Sequence, residues 1–334
     1  MSSSIIDVAV AILTHPLDLV RDAGARTYGP WLALALAAGL AAGVVRARSL
    51  PRAARALLSP RIWWHRSARM DYRLIVANGA IRTVLLAPLA LSALAVAMGT
   101  IELLVRVLGA PAPSSLSPGA IVALYTVVLF VAWDFSRYLV HRLLHAVPVL
   151  WQLHQVHHSA EVLTPFTVHR VHPLESLLFQ LRGAITTGVV TGAFFYAFQD
   201  RAVQYELLGV NALGMAFNAV AANLRHSHVW LSFGPVIERL FISPAQHQLH
   251  HSVAPDDHGH NYGSCLAIWD WLGGSLRLAG PRRQLRFGLP AAERNHHPAR
   301  VASAIAGPLA AIAGRLPAPR LGRPRKDPHE ATVA

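Results

Sequence analysis

The sequence predicts an all-α integral membrane helical bundle, with about four to five spans arranged in hairpins and a cytoplasmic, histidine-rich helical cap. Three observations predict it. Apolar residues make up 53% of the 334 residues and charged residues only 14%, with a mean hydropathy of +0.38. A soluble domain carries about 25% charged residues because its surface faces water, so this deficit points to a surface that faces lipid. Several apolar runs approach the roughly 20 residues that a helix needs to cross a bilayer. Finally, 14 of the 19 histidines fall between His141 and His260.

The chain begins with Ile5, Ile6, Val8, Val10, Ile12 and Leu13 interspersed with Asp7 and His15, the pattern of a short interfacial helix. No basic leader segment or small-residue cleavage site is expected in this stretch. Trp31 to Val45 is a short span. Ile81 to Leu104 and Gly119 to Val140 read as the next two, separated by the turn-rich segment from Pro111 to Pro118. Leu174 to Phe198 and Ala202 to Leu224 form a second pair, joined at Gln199, Asp200 and Arg201. Val301 to Ala313 is too short to span and contains Pro308. Three regions follow: 1–78, an N-terminal membrane or interfacial segment with a basic loop; 79–290, the membrane domain that carries the histidines; and 291–334, a basic and largely disordered tail.

Arginine placement sets the orientation. Arg46, Arg48, Arg52, Arg55, Arg61, Arg66 and Arg69 lie in one loop, which is therefore expected on the cytoplasmic side. Counting spans from there brings both histidine-rich stretches out on that same side. The net charge of +13 is confined to loops and tail, which suits an anionic membrane face rather than nucleic acid. The nearly lysine-free, alanine- and arginine-rich composition suggests a bacterial inner membrane. Cys265 is the only cysteine, so an intrachain disulfide or a multi-cysteine metal site is excluded; packing near Trp269 is expected for it.

The histidines fall into three boxes. His141 and His145 form H-x3-H; His154, His157 and His158 form H-x2-H-H; His247, His250 and His251 repeat that second pattern. Residues three and four apart share a helix face, so each box can aim its imidazoles at one point. A single structural zinc takes four ligands, and eight clustered histidines exceed that need. Two metal ions with open positions account for the number, and imidazole without thiolate suits iron. A zinc hydrolase would need a glutamate base beside the metal, as in His-Glu-x-x-His, which does not occur. A metal carrier would place ionisable residues along a mid-membrane path, whereas these lie at the ends of hairpins.

The segments Asp134-Phe-Ser-Arg-Tyr-Leu-Val-His141-Arg-Leu-Leu-His145, Leu153-His154-Gln-Val-His157-His158-Ser159 and Ser243-Pro-Ala-Gln-His247-Gln-Leu-His250-His251-Ser252 together resemble the fatty acid hydroxylase/sterol desaturase superfamily. Asn261-Tyr262-Gly263 and the run from Trp269 to Gly274 resemble its closing motif. The resemblance covers about residues 80 to 290. It implies a membrane-bound non-haem di-iron oxidoreductase that hydroxylates or desaturates a lipid, with two iron ions and electrons from a separate redox protein. By this resemblance His141, His145, His154, His157, His158, His247, His250 and His251 are the catalytic metal ligands. His172, in His-Pro-Leu-Glu, joins them as a metal ligand. One departure stands out: Ala221 occupies a position where many members carry histidine. His226 or His228 is expected to replace it, and His228 is favoured because it lies nearer the turn leading back to His247. His169 is open between a ligand and a supporting donor. His258 and His260 read as loop residues, and His15, His65, His296, His297 and His329 as surface or interfacial.

A buried carboxylate near a membrane needs a partner. Asp134 is expected either to accept from a ligand imidazole or to pair with Arg137 or Arg142. Glu175 and Glu238 invite the same two readings, with a structural role favoured. Trp63, Trp64, Trp151, Trp230, Trp269 and Trp271 are expected at the membrane boundaries.

Overall fold

A computed structural model describes residues 5–86, 91–199, 222–290 and 300–314, with the single positions 213, 293 and 298. Among these residues the chain is helical and has no β-strand, only two isolated bridges, Phe241 with Leu266 and Ser252 with Phe287. The helices are α1 (Ile5–Arg21), α2 (Gly29–Ala47), α3 (Leu50–Leu57), α4 (Pro60–Trp63), α5 (Arg66–Ile81), α6 (Ala93–Leu108), α7 (Pro118–Ala146), α8 (Pro148–His158) and α9 (Pro173–Phe198). After the gap come α10 (Asn223–Arg225), α11 (Gly234–Ile237), α12 (Pro244–His250), α13 (Ile268–Leu272) and α14 (Val301–Ala313).

Helices α2, α7 and α9 are long and apolar enough to cross a membrane. Helix α1 turns Ile6, Val10, Leu13 and Leu17 outward along one face, as an interfacial helix does. On α7, Leu124, Val127, Val131 and Leu139 are exposed in the same way. Outward apolar side chains at this density fit a lipid-facing surface and make this an integral membrane protein.

The run Ile81 to Leu104 is not one span. Helix α5 passes into a π-helical turn, Arg82–Leu86, and α6 starts afresh at Ala93 after Ser92. Pro88, between them in sequence, has no N–H to give to a continuous helix. The expected neighbour of that run also differs: α6 packs against α9, and α7 lies against α9 as well. Most of the expected span Ala202 to Leu224 lies outside the described residues, as do the tail beyond 314 and His296, His297 and His329.

The α6–α9 contact rests on two glycines one turn apart, a spacing that lets helices approach closely in lipid. A Cβ at Gly192 would stand 2.5 Å from the Ala97 carbonyl oxygen, and one at Gly188 would stand 2.5 Å from the Val96 Cβ. Gly192→Leu is therefore expected to pry the pair apart, at a cost of about 1–3 kcal/mol. Gly183→Leu, where no atom lies within 4 Å, is the control. A thermal unfolding midpoint in detergent that is equal for both variants would contradict this packing.

Helix α7 emerges from the bundle carrying His141 and His145 on its last turns, and α8 follows after only one residue, Val147. Helix α14 lies against α8 and α5. The cap so formed is where the histidines meet.

Candidate metal centre

Each histidine box sits on a helix with a defined start. Pro148 opens α8 at a position that needs no N–H donor. Helix α12 starts with a reciprocal capping box: Ser243 Oγ accepts from the Gln246 N–H, and Gln246 Oε1 accepts from the Ser243 N–H. The imidazoles that these helices carry gather into two groups. His141, His145, His154, His158 and His250 form the first; His157, His226, His247 and His251 form the second. Within each group the nitrogens that face each other lie within 4.8 Å.

The boxes do not each serve one point. In α8, His154 and His158, four residues apart, enter the first group while His157 enters the second. Around α12 the pattern is mirrored: His247 and His251 enter the second group while His250 enters the first. An i,i+4 pair shares a face, and the third residue is rotated off it by about 60–100°. That offset lets one short helix feed two adjacent centres.

The second group is the tighter. His226 Nε2 lies 3.2 Å from His157 Nε2, 3.0 Å from His247 Nε2 and 3.2 Å from His251 Nε2. His157 has its other nitrogen, Nδ1, against the Arg170 carbonyl at 3.3 Å. A carbonyl only accepts, so Nδ1 carries the proton and Nε2 presents a lone pair. The same logic holds in the first group. His141 Nδ1 donates to the Tyr262 carbonyl at 2.7 Å and His250 Nδ1 to the His260 carbonyl at 2.9 Å. His154 Nδ1 donates to Glu175 Oε1 at 2.8 Å. Nε2 of His145, His154, His158 and His250 is buried with no hydrogen-bond partner among the described residues.

Burial also keeps the cap imidazoles neutral. His154, His158, His226, His247 and His251 are held well below the usual histidine range, first by desolvation and then by a neighbouring imidazole. Burial likewise brings His157 down to about 3 and His250 to about 4. Neutral imidazoles with bare inward nitrogens are metal donors. Two such nitrogens, each about 2.1 Å from one ion, stand roughly 3.0–3.4 Å apart, which matches the second group. The residues present therefore fit two metal ions, one per group.

Two expected ligands stand apart. His172 Nδ1 accepts from the Leu174 N–H at the start of α9, and its Nε2 donates to the Ile305 carbonyl at 2.9 Å. Both nitrogens are thus used in clamping α14 to α9. His228 is directed away, donating from Nε2 to the Ala56 carbonyl at 3.1 Å. The chain leaves helical geometry at His226 (φ −97°, ψ 70°), so these imidazoles diverge and His226 takes the place expected for His228. His169 hydrogen-bonds Thr27 Oγ1 at 3.0 Å, outside both groups. His260 contributes its carbonyl, not its ring, and His258 is half-buried beside it.

The carboxylates also depart from expectation. Among the described residues Asp134 meets neither a histidine nor an arginine in a hydrogen bond; it accepts from the backbone N–H groups of Cys265 and Leu266 and from Trp269 Nε1, each at 2.9 Å. It ties α7 to the segment 261–274, the closing loop. Glu175, for which a structural role was favoured, is the residue that orients a cluster imidazole. Glu238 is structural, accepting from Ser232 and Ser243 hydroxyls and the Ala279 N–H. Trp151 and Trp269 donate hydrogen bonds within the cap, Trp151 to Glu293 at 3.2 Å and Trp269 to Asp134 at 2.9 Å.

Several supports were not legible from spacing. Asp270 accepts from the Tyr262 and Gly263 N–H groups and the Ser275 hydroxyl, and so aims the Tyr262 carbonyl at His141. Burial raises the Asp270 carboxyl to about 6. A Cβ at Gly263 would lie 2.7 Å from the Leu266 carbonyl oxygen, which explains glycine there. The residues Asn261 to Gly263 and Asp270 were visible as a motif, but their task was not.

Glu175→Ala should weaken metal retention about 10–100-fold, because His154 loses the acceptor that sets its tautomer. Glu175→Gln, which keeps an acceptor oxygen, should lose less. Metal content after graded chelator treatment reads this; equal retention in wild type and Glu175→Ala would contradict the role.

Comparison with known proteins agrees with the site. A family model described as fatty acid hydroxylase matches residues 126–275. A Delta(7)-sterol 5(6)-desaturase of Eremothecium gossypii is 34% identical over 43% of this chain and 35% of its own length. An ornithine lipid hydroxylase of Rhizobium tropici is 31% identical over 46% of this chain and 42% of its own. The human alkylglycerol monooxygenase is 28% identical over 44% of this chain and 29% of its own. The chain thus spans less than half the length of these relatives. No solved structure matches it.

Proposed function

Taking as premise that the chain belongs to the fatty acid hydroxylase/sterol desaturase superfamily, we propose that it is a membrane-bound di-iron oxygenase that hydroxylates a C–H bond of a lipid. The observation that carries this reading is the pair of adjacent, buried groups of neutral imidazoles. One iron would be held by His141, His145, His154, His158 and His250, the other by His157, His226, His247 and His251. Iron, when bound, supplies the activation of O2 that no side chain here performs.

The protein's own residues do the rest. The carbonyls of Tyr262, Arg170 and His260 and the Glu175 carboxyl oxygen hold the outer imidazole protons, so the inner nitrogens stay free to donate. The closing loop, pinned by Asp134 and Asp270, lays the Tyr262 ring against His141, His145 and His250 of the first group. Exposed apolar faces on α7 and α9 let a lipid approach from within the bilayer. Hydroxylation consumes one O2, two electrons and two protons per C–H bond and releases one water. The electrons come from a separate redox protein. The arginine-rich loop 46–69 supports a cytoplasmic site, and the composition a bacterial inner membrane.

Desaturation would take two hydrogens from the lipid and add no oxygen. A zinc hydrolase is disfavoured because Glu175 stands behind His154, on the side away from the inner nitrogens. The test combines elemental analysis of detergent-purified protein with mass spectrometry of lipids from a deletion strain and its parent grown under labelled O2. Iron at about two per chain and a lipid carrying the label are expected. A single zinc with no response to iron, or a product lacking the label, would defeat the hydroxylase reading.

A further inference from the structure

A recess of about 940 Å³ opens on the cap, between α5 and the segment 285–289. None of its lining residues belongs to α2, α7 or α9, the helices long and apolar enough to cross a membrane. Its walls are thus separate from the apolar faces that a lipid approaches.

The rim of this recess is basic. Arg66, Arg69 and Arg73 follow one another at three- and four-residue steps along one face of α5, and Arg286 stands on the facing segment. All four are exposed. Glu161 is the one carboxylate among the lining residues, and it accepts two hydrogen bonds from Arg66, at 2.9 and 2.7 Å. The side chains of Arg69, Arg73 and Arg286 make no hydrogen bond or ion pair among the described residues. Arg170, buried in the wall, is balanced by Asp71. The uncompensated charge therefore sits at the solvent edge, where it steers an anionic surface inward.

The floor of the recess leads to the metal centre. Val253 lines it two residues beyond His251, and the Val253 N–H donates to the Arg286 carbonyl at 3.0 Å. Ser252, between them, is bridged to Phe287 on the opposite wall. Arg170 also lines the recess, and its carbonyl accepts from His157 Nδ1 at 3.3 Å. His157 and His251 both belong to the second group. Two routes of covalent and hydrogen bonds thus run from the recess wall to that group, one ending at each histidine.

We propose that this recess docks the electron donor, a small one-electron carrier protein with an acidic surface around its redox centre, and that electrons enter at the second histidine group. The proposal rests on the oxygenase reading above, which needs two electrons per turnover. Two successive encounters supply them, each oxidising the carrier by one electron and reducing the metal centre by one. Electron-transfer partners meet through small interfaces, under about 1,200 Å², and rely on complementary charge more than on area. An anionic leaflet would also satisfy the arginines, but a flat surface would leave the recess unfilled and both routes without a use.

The test uses the full chain in phosphatidylcholine nanodiscs and two redox proteins of similar size and opposite charge, an acidic [2Fe–2S] ferredoxin and a basic cytochrome c. The ferredoxin should bind and the cytochrome should not, and ferredoxin affinity should fall about tenfold as salt rises from about 50 to 300 mM. Arg69→Glu combined with Arg73→Glu should weaken ferredoxin binding about tenfold or more, and Arg286→Glu should act in the same direction. Arg46→Glu combined with Arg52→Glu makes the same change of charge at exposed positions outside the recess, and should leave binding within about threefold of wild type. No ferredoxin binding, or an equal loss in the two double variants, would overturn the proposal. So would protection of Arg73→Cys from a water-borne maleimide in nanodiscs containing phosphatidylglycerol, which would assign the arginines to the leaflet. Iron-loaded protein that is reduced by dithionite but not by bound ferredoxin would overturn it as well. Protein that binds ferredoxin at the recess and is reduced by neither would count against the oxygenase reading alone.

Discussion

Alanine at His226 should lower metal content from about two ions per chain to about one and reduce turnover by more than the 10–100-fold that losing an outer hydrogen-bond partner costs. His226 Nε2 touches three other imidazole nitrogens of the second group, at 3.0–3.2 Å, so its removal opens that group at its centre. His228→Ala is the matched control. It loses one hydrogen bond to the Ala56 carbonyl, worth about 0.5–1.5 kcal/mol, and should keep both ions. Elemental analysis of the two variants after identical purification decides between them. Full metal in His226→Ala, or equal loss in both, would refute the placement of His226.

Arg170→Met is expected to be the most destabilising single change in the cap. Arg170 and Asp71 are 99 residues apart in sequence, fully buried, and paired at 2.9 Å. The same guanidinium donates to the Val156 carbonyl, to Ser67 and to Ser159, while Asp71 also accepts from the Thr167 hydroxyl. Removing one partner of a buried pair leaves the other charge stranded and costs about 3–5 kcal/mol. The thermal midpoint in detergent should fall by roughly 10 °C. Asp71→Asn combined with Arg170→Met should recover part of that loss, since the stranded charge is gone. If the double variant were no better than Arg170→Met, the cost would lie in lost packing, not in the unpaired carboxylate. The pair matters to the site because the Arg170 carbonyl receives the His157 Nδ1 proton. It fastens the segment after α8 to α5.

The sequence by itself determined the class of this protein. Low charge and long apolar runs leave no soluble alternative, because uncompensated backbone and apolar surface must find lipid or a core. It also pointed to a metal site built on imidazoles. Three histidine boxes at helical spacing, with one cysteine in the chain, offer imidazole donors and exclude a multi-cysteine site. Both inferences depend on local periodicity, which is written in consecutive residues.

Tertiary structure decided what depends on direction and distance. Spacing showed that His154, His157 and His158 share a short helix, but only the placement of α12 against α8 divides them between two groups. His226 and His228 are equivalent as letters; the turn at His226 sends one inward and the other to Ala56. His172 looked like a ligand by motif, yet both of its nitrogens are taken by α9 and α14, and α14 begins 129 residues later in the numbering. The choice between acceptor and ion pair for Asp134 and Glu175 fell against expectation for the same reason. A carboxylate takes whichever donors the fold brings within about 3 Å, and those donors come from segments over a hundred residues away for Asp134 and from the preceding helix for Glu175.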